Sequence, residues 1–408
     1  MKTRKSSVLF TLIFLAVILI SCVGKTPAFP PTSEAGFIAT SVAATLGAIP
    51  SATPIPEPAA TLTPEPHSLL PQSLYYQAGD SNGKLQVYRF GRDGITITQV
   101  TSEAEGVNYF NISPVNGRLV YNSGNQLLLT DNNGANPQVI ATNQDPSNKN
   151  YLSYPSWSPD GGTIAYVEDG SIYFYSLATG ASRLILGNTG DGLQYDQIRD
   201  FSPDGSKLIV HASSVLGIYD LPSHTVAFLQ ISEYPRSEFS CNPTFWSPDS
   251  KYLYLAEWVG AAGVDCIRSP GLWRFNPDGT GTTLMPGLGD NGMYENNKTA
   301  ALWQAAAGNL IYLFSGPETG TDPFAPFSLV RSDADGVSNR VVLRPETFRV
   351  TDLSLWAPDG SAVVIVQNNG TGNLFVNLVL VPVDPSLPVV TLLADASKLG
   401  WNPFRWGP

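Results

Sequence analysis

The sequence contains few of the residues that most often carry out catalysis or bind metals. Its 408 residues include three histidines, three cysteines and three methionines, and only 14% of its residues are charged. His67, His211 and His224 are far apart in the chain, and His211 is interpreted as a strand residue because it follows the run Lys-Leu-Ile-Val. A histidine-based zinc site or catalytic triad is therefore not predicted, and no catalytic residue or metal ligand is assigned.

The chain begins with a targeting signal that is too short to be a membrane span. Basic residues at positions 2–5 precede an uncharged apolar run, Val8–Ile20, which has the length of a signal-peptide core. The sequence Leu-Ile-Ser-Cys that follows resembles the cleavage motif of bacterial lipoproteins. We expect residues 1–21 to be removed and Cys22 to carry lipid; an ordinary secretory signal with a chance cysteine is the alternative.

Residues 22–70 are predicted to form the lipidated cysteine and an extended tether. This segment contains nine prolines, and such a composition favours solvated, extended backbone over a packed core. Residues 71–408 then form the folded domain. The expected location is extracytoplasmic, on the outer leaflet of the cell membrane or on the outer membrane.

The charge and the remaining cysteines fit an exported binding protein. The formal net charge is −11, which argues against nucleic acid as a partner and leaves the Cys22 lipid as the expected membrane contact. Cys241 and Cys266 form an even pair in an exported chain, so a disulfide between them is predicted.

A short motif recurs along the folded domain at intervals of 44 or 45 residues. An aromatic residue precedes Ser-Pro-Asp-Gly or a close variant of it. In this turn, proline presets φ, aspartate accepts backbone hydrogen bonds and glycine permits positive φ, so a structural role is expected for these aspartates. The predicted anchor residues are Trp157, Asp160, Phe201, Asp204, Trp246, Asp249, Trp303, Trp356, Asp359 and Trp401.

Each anchor is followed by short alternating apolar segments that Gly, Asn and Asp turns separate. Four antiparallel strands for every 44–45 residues predict an all-β fold, a β-propeller of four-stranded blades. Residues 73–100 carry three strands without an anchor, and residues 397–406 carry an anchor without strands. Pairing of these two segments closes a ring of seven blades; six or eight remain alternatives because the repeat at Trp303 is degenerate.

The anchors and hairpins resemble the TolB-like, WD40-like propeller repeat of bacterial envelope proteins. The resemblance covers residues 73–406; the Gly-His and Trp-Asp pairs of eukaryotic WD40 repeats are absent. It implies the propeller fold and a location in the envelope. Since this repeat occurs in proteins with different partners, it implies no particular ligand.

Insertions in the later blades predict a binding face. The loops at 233–243, 259–271, 287–298 and 316–327 are long and are expected on one face of the ring. Their candidate binding residues are Phe239, Trp258, Tyr294, Phe324 and Phe327. The predicted function is binding or scaffolding of an envelope protein, peptide or glycan. The alternatives are a propeller enzyme of lactonase, sugar dehydrogenase or lyase type, with its site at the channel mouth, and a structural spacer. No cofactor is predicted; a calcium ion bound in the channel is the alternative.

Overall fold

The computed structural model describes twelve segments of the chain, all within the unit Pro64–Pro408. They are residues 68–143, 152–187, 194–212, 215–229, 244–255, 273–281, 283–284, 299–305, 310–315, 326–334, 338–368 and 376–408.

The regular structure of these segments is β-strand throughout. In chain order the strands are β1 (Ser73–Gly79), β2 (Leu85–Phe90), β3 (Ile97–Gln99), β4 (Tyr109–Ile112), β5 (Leu119–Ser123), β6 (Gln126–Leu129), β7 (Gln138–Thr142), β8 (Leu152–Trp157), β9 (Thr163–Glu168), β10 (Ser171–Ser176), β11 (Ala181–Leu186), β12 (Tyr195–Phe201), β13 (Lys207–Ala212), β14 (Val215–Asp220), β15 (Thr225–Phe228), β16 (Thr244–Trp246), β17 (Leu253–Leu255), β18 (Trp273–Phe275), β19 (Thr283–Leu284), β20 (Thr299–Gln304), β21 (Leu310–Ser315), β22 (Phe327–Asp333), β23 (Val341–Phe348), β24 (Val350–Trp356), β25 (Ala362–Gln367), β26 (Asn377–Pro382), β27 (Val390–Leu393) and β28 (Leu399–Gly407).

The strands form seven four-stranded antiparallel sheets, which confirms the predicted seven-bladed β-propeller. Blade 1 is composite, with the order β28-β1-β2-β3, and blades 2 to 7 each use four consecutive strands, from β4–β7 to β24–β27. First strands of successive blades contact one another, for example β4 with β8 and β8 with β12, so they are the innermost strands and line the central channel. Side chains at alternate strand positions fill the spaces between neighbouring sheets.

Apolar packing between blades is built largely from aromatic and β-branched residues. Between blades 6 and 7, Phe314, Phe348 and Trp356 share one buried cluster with Val363, and the Phe314 and Phe348 rings meet edge to face at 5.6 Å. A buried arginine adds a polar contact at the same seam. The Arg344 guanidinium is 2% exposed and donates hydrogen bonds to backbone carbonyls of blade 7 at 382, 384 and 387.

The last strand closes the ring as predicted. β28 pairs with β1 from Ser73↔Gly407 to Tyr76↔Phe404, and after an irregularity the pairing resumes at Ala78↔Leu399. The Trp406 indole Nε1–H donates to the backbone carbonyl of Trp356 in blade 7 at 2.7 Å. Both β1 and blade 7 are therefore tied to the final strand.

The register corrects the predicted anchor in blade 1. Trp157 pairs with Ile164 at the end of its strand, and the position equivalent to Trp157 in β28 is held by Trp406, which pairs with Leu74. Trp401 lies within the irregular part of β28, between the paired residues Leu399 and Phe404. The Trp-Asn-Pro sequence at 401–403 matches the repeat spacing but is not the anchor, because the irregular pairing consumes extra residues.

The register also moves the predicted anchor of blade 6 by one residue. In the regular blades the residue after the anchor donates its backbone N–H to the carbonyl five positions later, as Ser158 does to Thr163. In blade 6 the donor is Ala305, so Gln304 and not Trp303 occupies the anchor position. A shift of one residue reverses which face of the sheet a strand position occupies.

Candidate functional site

The predicted anchor aspartates cap turns. Asp160 accepts hydrogen bonds from the Ser158 hydroxyl at 2.5 Å and from the backbone N–H of Gly162 at 2.9 Å. Asp204, Asp249 and Asp359 likewise accept from the backbone N–H two residues later. The hydrogen bond from Ser158 lowers the pKa of Asp160. These carboxylates are held in separate turns of separate blades and do not form one catalytic group.

Most of the predicted binding and modification residues lie outside the described segments. These are Cys22, Phe239, Cys241, Trp258, Cys266, Tyr294 and Phe324. Phe327 is described: it begins β22, is 2% exposed and packs in the cluster between blades 6 and 7. That burial leaves Phe327 no surface to offer a partner.

Two described tyrosines come together on the innermost strands, which line the channel. Tyr109 in β4 and Tyr154 in β8 lie one repeat apart on neighbouring first strands. Their hydroxyl oxygens are 3.0 Å apart, and their rings lie 4.1 Å apart between centroids at a tilt of 36°. The two tyrosines therefore form a single aromatic and hydroxyl-bearing unit on the innermost strands of blades 2 and 3.

Tyr154 is held in a backbone conformation that tyrosine rarely adopts. Its φ is +51°, and it lies where the pairing of β8 with β9 is irregular, between Ser153 and Ser156. Such a conformation costs about 1–2 kcal/mol for a residue with a side chain, so the surrounding strands must impose it. Burial is the main cause of the raised pKa of the Tyr154 hydroxyl, and the hydrogen bond with Tyr109 adds to it. The hydroxyl is consequently a neutral donor at physiological pH.

One buried guanidinium group, that of Arg199, interacts with this tyrosine pair, and a second, that of Arg405, interacts with Arg199. Arg199 belongs to β12, where the pairing with β13 is again irregular, and Arg405 belongs to β28. Burial is the main cause of the lowered pKa of Arg199, and Arg405 acts in the same direction. Tyr154 acts on Arg199 in the opposite direction. Four first strands, here called the channel wall, therefore carry two hydroxyl and two guanidinium groups.

An aspartate and a histidine pair beside this wall. Asp196, at the start of β12, contacts the Nδ1 atom of His211 on β13. Asp196 is half exposed and His211 is 2% exposed. The Nε2 atom of His211 is buried and has no hydrogen-bond partner among the described residues. His211 is thus a strand residue, as predicted, and also the buried member of a polar pair whose aspartate is half exposed.

Two sequence features that suggest chemistry form simple turns. Residues 79–83 read Gly-Asp-Ser-Asn-Gly, which matches the letters of a hydrolase nucleophile motif, but they connect β1 to β2. Asp80 closes this hairpin by accepting hydrogen bonds from the backbone N–H groups of Asn82 and Lys84. A nucleophile elbow requires a helix after the turn, whereas here a strand follows. Within the described segments, no group of three or more His, Cys, Asp or Glu side chains is arranged to hold a metal ion.

The residues that the structure describes contain no helix with the length and hydrophobicity needed to traverse a bilayer.

The channel residues were not singled out from the sequence, although one signal was present. Tyr109 and Tyr154 are 45 residues apart and both stand three positions before an anchor position, so the repeat alone places them on adjacent strands. Arg199 and Arg405 carry no such signal, because strand irregularities set their positions.

The fold is that of a seven-bladed β-propeller, and its repeat is TolB-like. Over 63 residues the chain is 41% identical to the Tol-Pal system protein TolB of Xanthomonas oryzae and 40% identical to that of Xanthomonas campestris. Each match covers 14% of this chain and 13% of the relative. The chain therefore matches only about an eighth of the length of these curated relatives. No family model matches the chain.

Similar solved structures include two bacterial proteins. TolB from Acinetobacter baumannii is 16% identical, with a TM-score of 0.41 and 79% of each chain covered. A protein from Lactobacillus plantarum is 15% identical, with a TM-score of 0.49, covering 82% of this chain and 99% of that chain.

Proposed function

We propose that the protein is an extracytoplasmic, lipid-anchored propeller that binds a protein partner of the cell envelope through its channel. The observation that carries this proposal is the channel wall of Tyr109, Tyr154, Arg199 and Arg405. Neutral tyrosine hydroxyls and guanidinium groups are hydrogen-bond donors, and they match backbone carbonyl or carboxylate acceptors of a partner segment. The similarity to TolB proteins over 63 residues supports an envelope partner.

A capture experiment with matched variants tests the channel. The full-length protein is immobilised, incubated with detergent-solubilised envelope proteins and analysed by quantitative mass spectrometry. Tyr109→Phe and Arg405→Gln should each reduce the capture of the same partner at least fivefold, because one lost charge-assisted hydrogen bond costs on the order of 1 kcal/mol or more. Lys84→Gln removes a positive charge from the exposed β1–β2 turn and should leave capture unchanged. Equal capture by all variants would place the partner elsewhere on the protein.

The lipid anchor is tested separately. Mass spectrometry of protein extracted from membranes should show a diacylglycerol thioether on Cys22, and Cys22→Ser should release the protein into the soluble fraction. An unmodified mature protein that begins at another residue would reject the anchor but leave the channel proposal intact.

A second candidate function is a propeller enzyme with its site at the channel mouth. One observation favours it: the Asp196–His211 pair lies beside the tyrosines and arginines of the channel wall. Asp196→Asn separates the two functions, because it should abolish turnover by an enzyme while leaving partner capture unchanged.

A further inference from the structure

A cavity of about 560 Å³ opens between blades 3 and 4, on the face of the ring that carries the anchor turns. Its wall is formed by the turn at 158–160 and strands β10 and β11 of blade 3, together with the turn at 203–205 and the β14–β15 connection of blade 4. Pockets that bind small molecules commonly have volumes of about 300–1,000 Å³. The lining of this seam cavity includes none of the four residues of the channel wall.

The floor of the seam cavity is aromatic. Phe174 of β10 and Phe201 of β12 lie 5.7 Å apart between ring centroids, at a tilt of 50°, and Tyr219 of β14 completes the lining. Phe201 is 7% and Tyr219 2% exposed, so these rings are fixed by the packing between the blades. Phe174 is partly exposed, so its ring, held against Phe201, offers an apolar surface against which an aromatic or aliphatic side chain can pack.

The outer end of the cavity carries positive and donor groups. Arg183 lies on the outermost strand of blade 3, directly opposite Phe174 in the ladder, and is exposed. On the blade 4 side, the Tyr219 hydroxyl lies 2.8 Å from the Nδ1 atom of His224. Burial is the main cause of the raised pKa of Tyr219, while the charge of Arg183 acts in the opposite direction. Arg183 is therefore close enough to this pair to contribute to one anion-binding end.

His224 occupies a backbone position that the preceding blade gives to glycine. Its φ is +58°, and the equivalent turn in blade 3 has Gly180 at +64°. Both residues donate their backbone N–H to the carbonyl four positions earlier, so the turns are alike. Glycine adopts this conformation without steric cost, whereas a residue with a Cβ is strained there. A histidine kept at a strained position that borders a cavity points to a role for its side chain.

The inner end of the cavity carries negative charge. Asp160 and Asp204 line it from the two anchor turns. Hydrogen bonds hold the pKa of both carboxyl groups below the ordinary value, against the effect of burial. Because strands in a sheet are about 4.8 Å apart, the inner turns and the outermost strand are separated by roughly 14 Å. The seam cavity thus has an acidic end, an aromatic floor and a basic end.

We propose that the seam cavity binds a short zwitterionic peptide of about three residues. Its ammonium group would lie at Asp160 and Asp204, its central apolar side chain on Phe174 and Phe201, and its carboxylate at Arg183. Three extended residues span about 10 Å, and the reach of the Asp and Arg side chains covers the remaining distance. This site goes beyond the proposed channel function and does not depend on it.

Calorimetric titration of the full-length protein with the tripeptide Ala-Phe-Ala tests the proposal. The free peptide should bind with a Kd below about 1 mM. The N-acetylated peptide and the C-terminal amide should each bind at least about tenfold more weakly, because each lacks one charged end. A folded protein that does not bind the free peptide, or that binds the blocked peptides equally well, would overturn the proposal.

Variants of the basic end give a second and independent readout. Arg183→Gln should weaken binding of the free peptide about tenfold and should make binding insensitive to C-terminal amidation, since the two changes remove the same contact. Lys251→Gln, which removes an exposed lysine from the next anchor turn on the same face, should leave both affinities unchanged. Persistent sensitivity to amidation in Arg183→Gln would show that the carboxylate binds elsewhere.

His224→Gly separates binding from folding. Glycine relieves the strain at this turn but removes the hydrogen-bond partner of the Tyr219 hydroxyl, so the melting temperature should change little, while affinity for the free peptide should fall severalfold. Unchanged affinity in a correctly folded His224→Gly protein would exclude the histidine from the site.

Discussion

A single added methyl group at Gly407 should weaken the closure of the ring. Gly407 is buried near the end of β28, where it pairs with Ser73. A Cβ at this position would lie 2.7 Å from a ring carbon of Tyr75 and 2.7 Å from a methyl carbon of Ile112. Tyr75 belongs to blade 1 and Ile112 to blade 2, and both are almost fully buried. The methyl group would therefore push apart two blades at the closing strand.

The expected cost of Gly407→Ala is that of overpacking a well-packed core, about 1–3 kcal/mol. In a domain of this size, such a loss lowers the urea midpoint by roughly 0.5–1 M. The matched control is Gly79→Ala in the same blade, where the nearest atoms to the new Cβ lie at 3.9 Å; its free energy of unfolding should change by less than about 0.5 kcal/mol.

The measurement is urea unfolding of both variants and the parent, followed by tryptophan fluorescence and circular dichroism. Agreement between the two probes establishes that the midpoints describe one transition. If Gly407→Ala unfolds at the same urea concentration as Gly79→Ala, the contact between blades 1 and 2 is looser than described and the reasoning on closure fails.

Three further predictions concern buried or paired groups elsewhere in the chain. Arg344→Met should destabilise the protein by about 3 kcal/mol or more, because three carbonyls of blade 7 lose their donor; an unchanged urea midpoint contradicts this. The Lys207 ammonium holds the pKa of Asp220 at about 2. The stabilisation of the folded state by this ion pair is therefore full above the ordinary aspartate pKa of about 4, and it is lost as the pH falls through 2. Asp220→Asn should therefore lower the melting temperature at about pH 7, by an amount equivalent to at most about 1 kcal/mol for this partly exposed pair. A difference in melting temperature between the variant and the parent that persists near pH 2 would contradict the assignment. Thiol labelling of the oxidised, unfolded chain should find no free thiol at Cys241 or Cys266, and two reactive thiols would exclude the disulfide.

The propeller architecture could be predicted because the same turn motif recurs in most of the blades. Each Ser-Pro-Asp turn uses the same local hydrogen bonds, as at Ser158 and Asp160, so the signal needs no knowledge of distant contacts. The composite blade followed from counting strands and anchors. Local turn chemistry and strand periodicity therefore account for the blade number and the ring closure.

The strand register could not be predicted correctly where the strands are irregular. The spacing of 45 residues favoured Trp401 as the last anchor, but the irregular pairing of β28 with β1 places Trp406 there. In blade 6, the motif indicates Trp303 because tryptophan fits it, whereas the ladder places Gln304 in the anchor position. Strand irregularities depend on packing against neighbouring strands, and no local pattern in one repeat reports them.

The same limitation hid the candidate sites. The left-handed conformation of Tyr154 and the approach of Arg199 to it arise from irregular first strands. The seam cavity depends on how two blades meet, so the contributions of Arg183 and Asp204, which are distant in sequence, become visible only in the folded ring.

The composite blade also imposes an order in time on the synthesis of this protein. Ser73 in β1 cannot pair until its partner in the ladder, Gly407 in β28, has been synthesised. At about 5–20 residues per second, synthesis of the roughly 330 intervening residues takes on the order of 15–65 s. During that interval the inner edge of β1 has no strand to pair with and is open to association with other chains. Chains therefore need protection from aggregation until the last strand is available, and a chain truncated before β28 would leave that edge exposed.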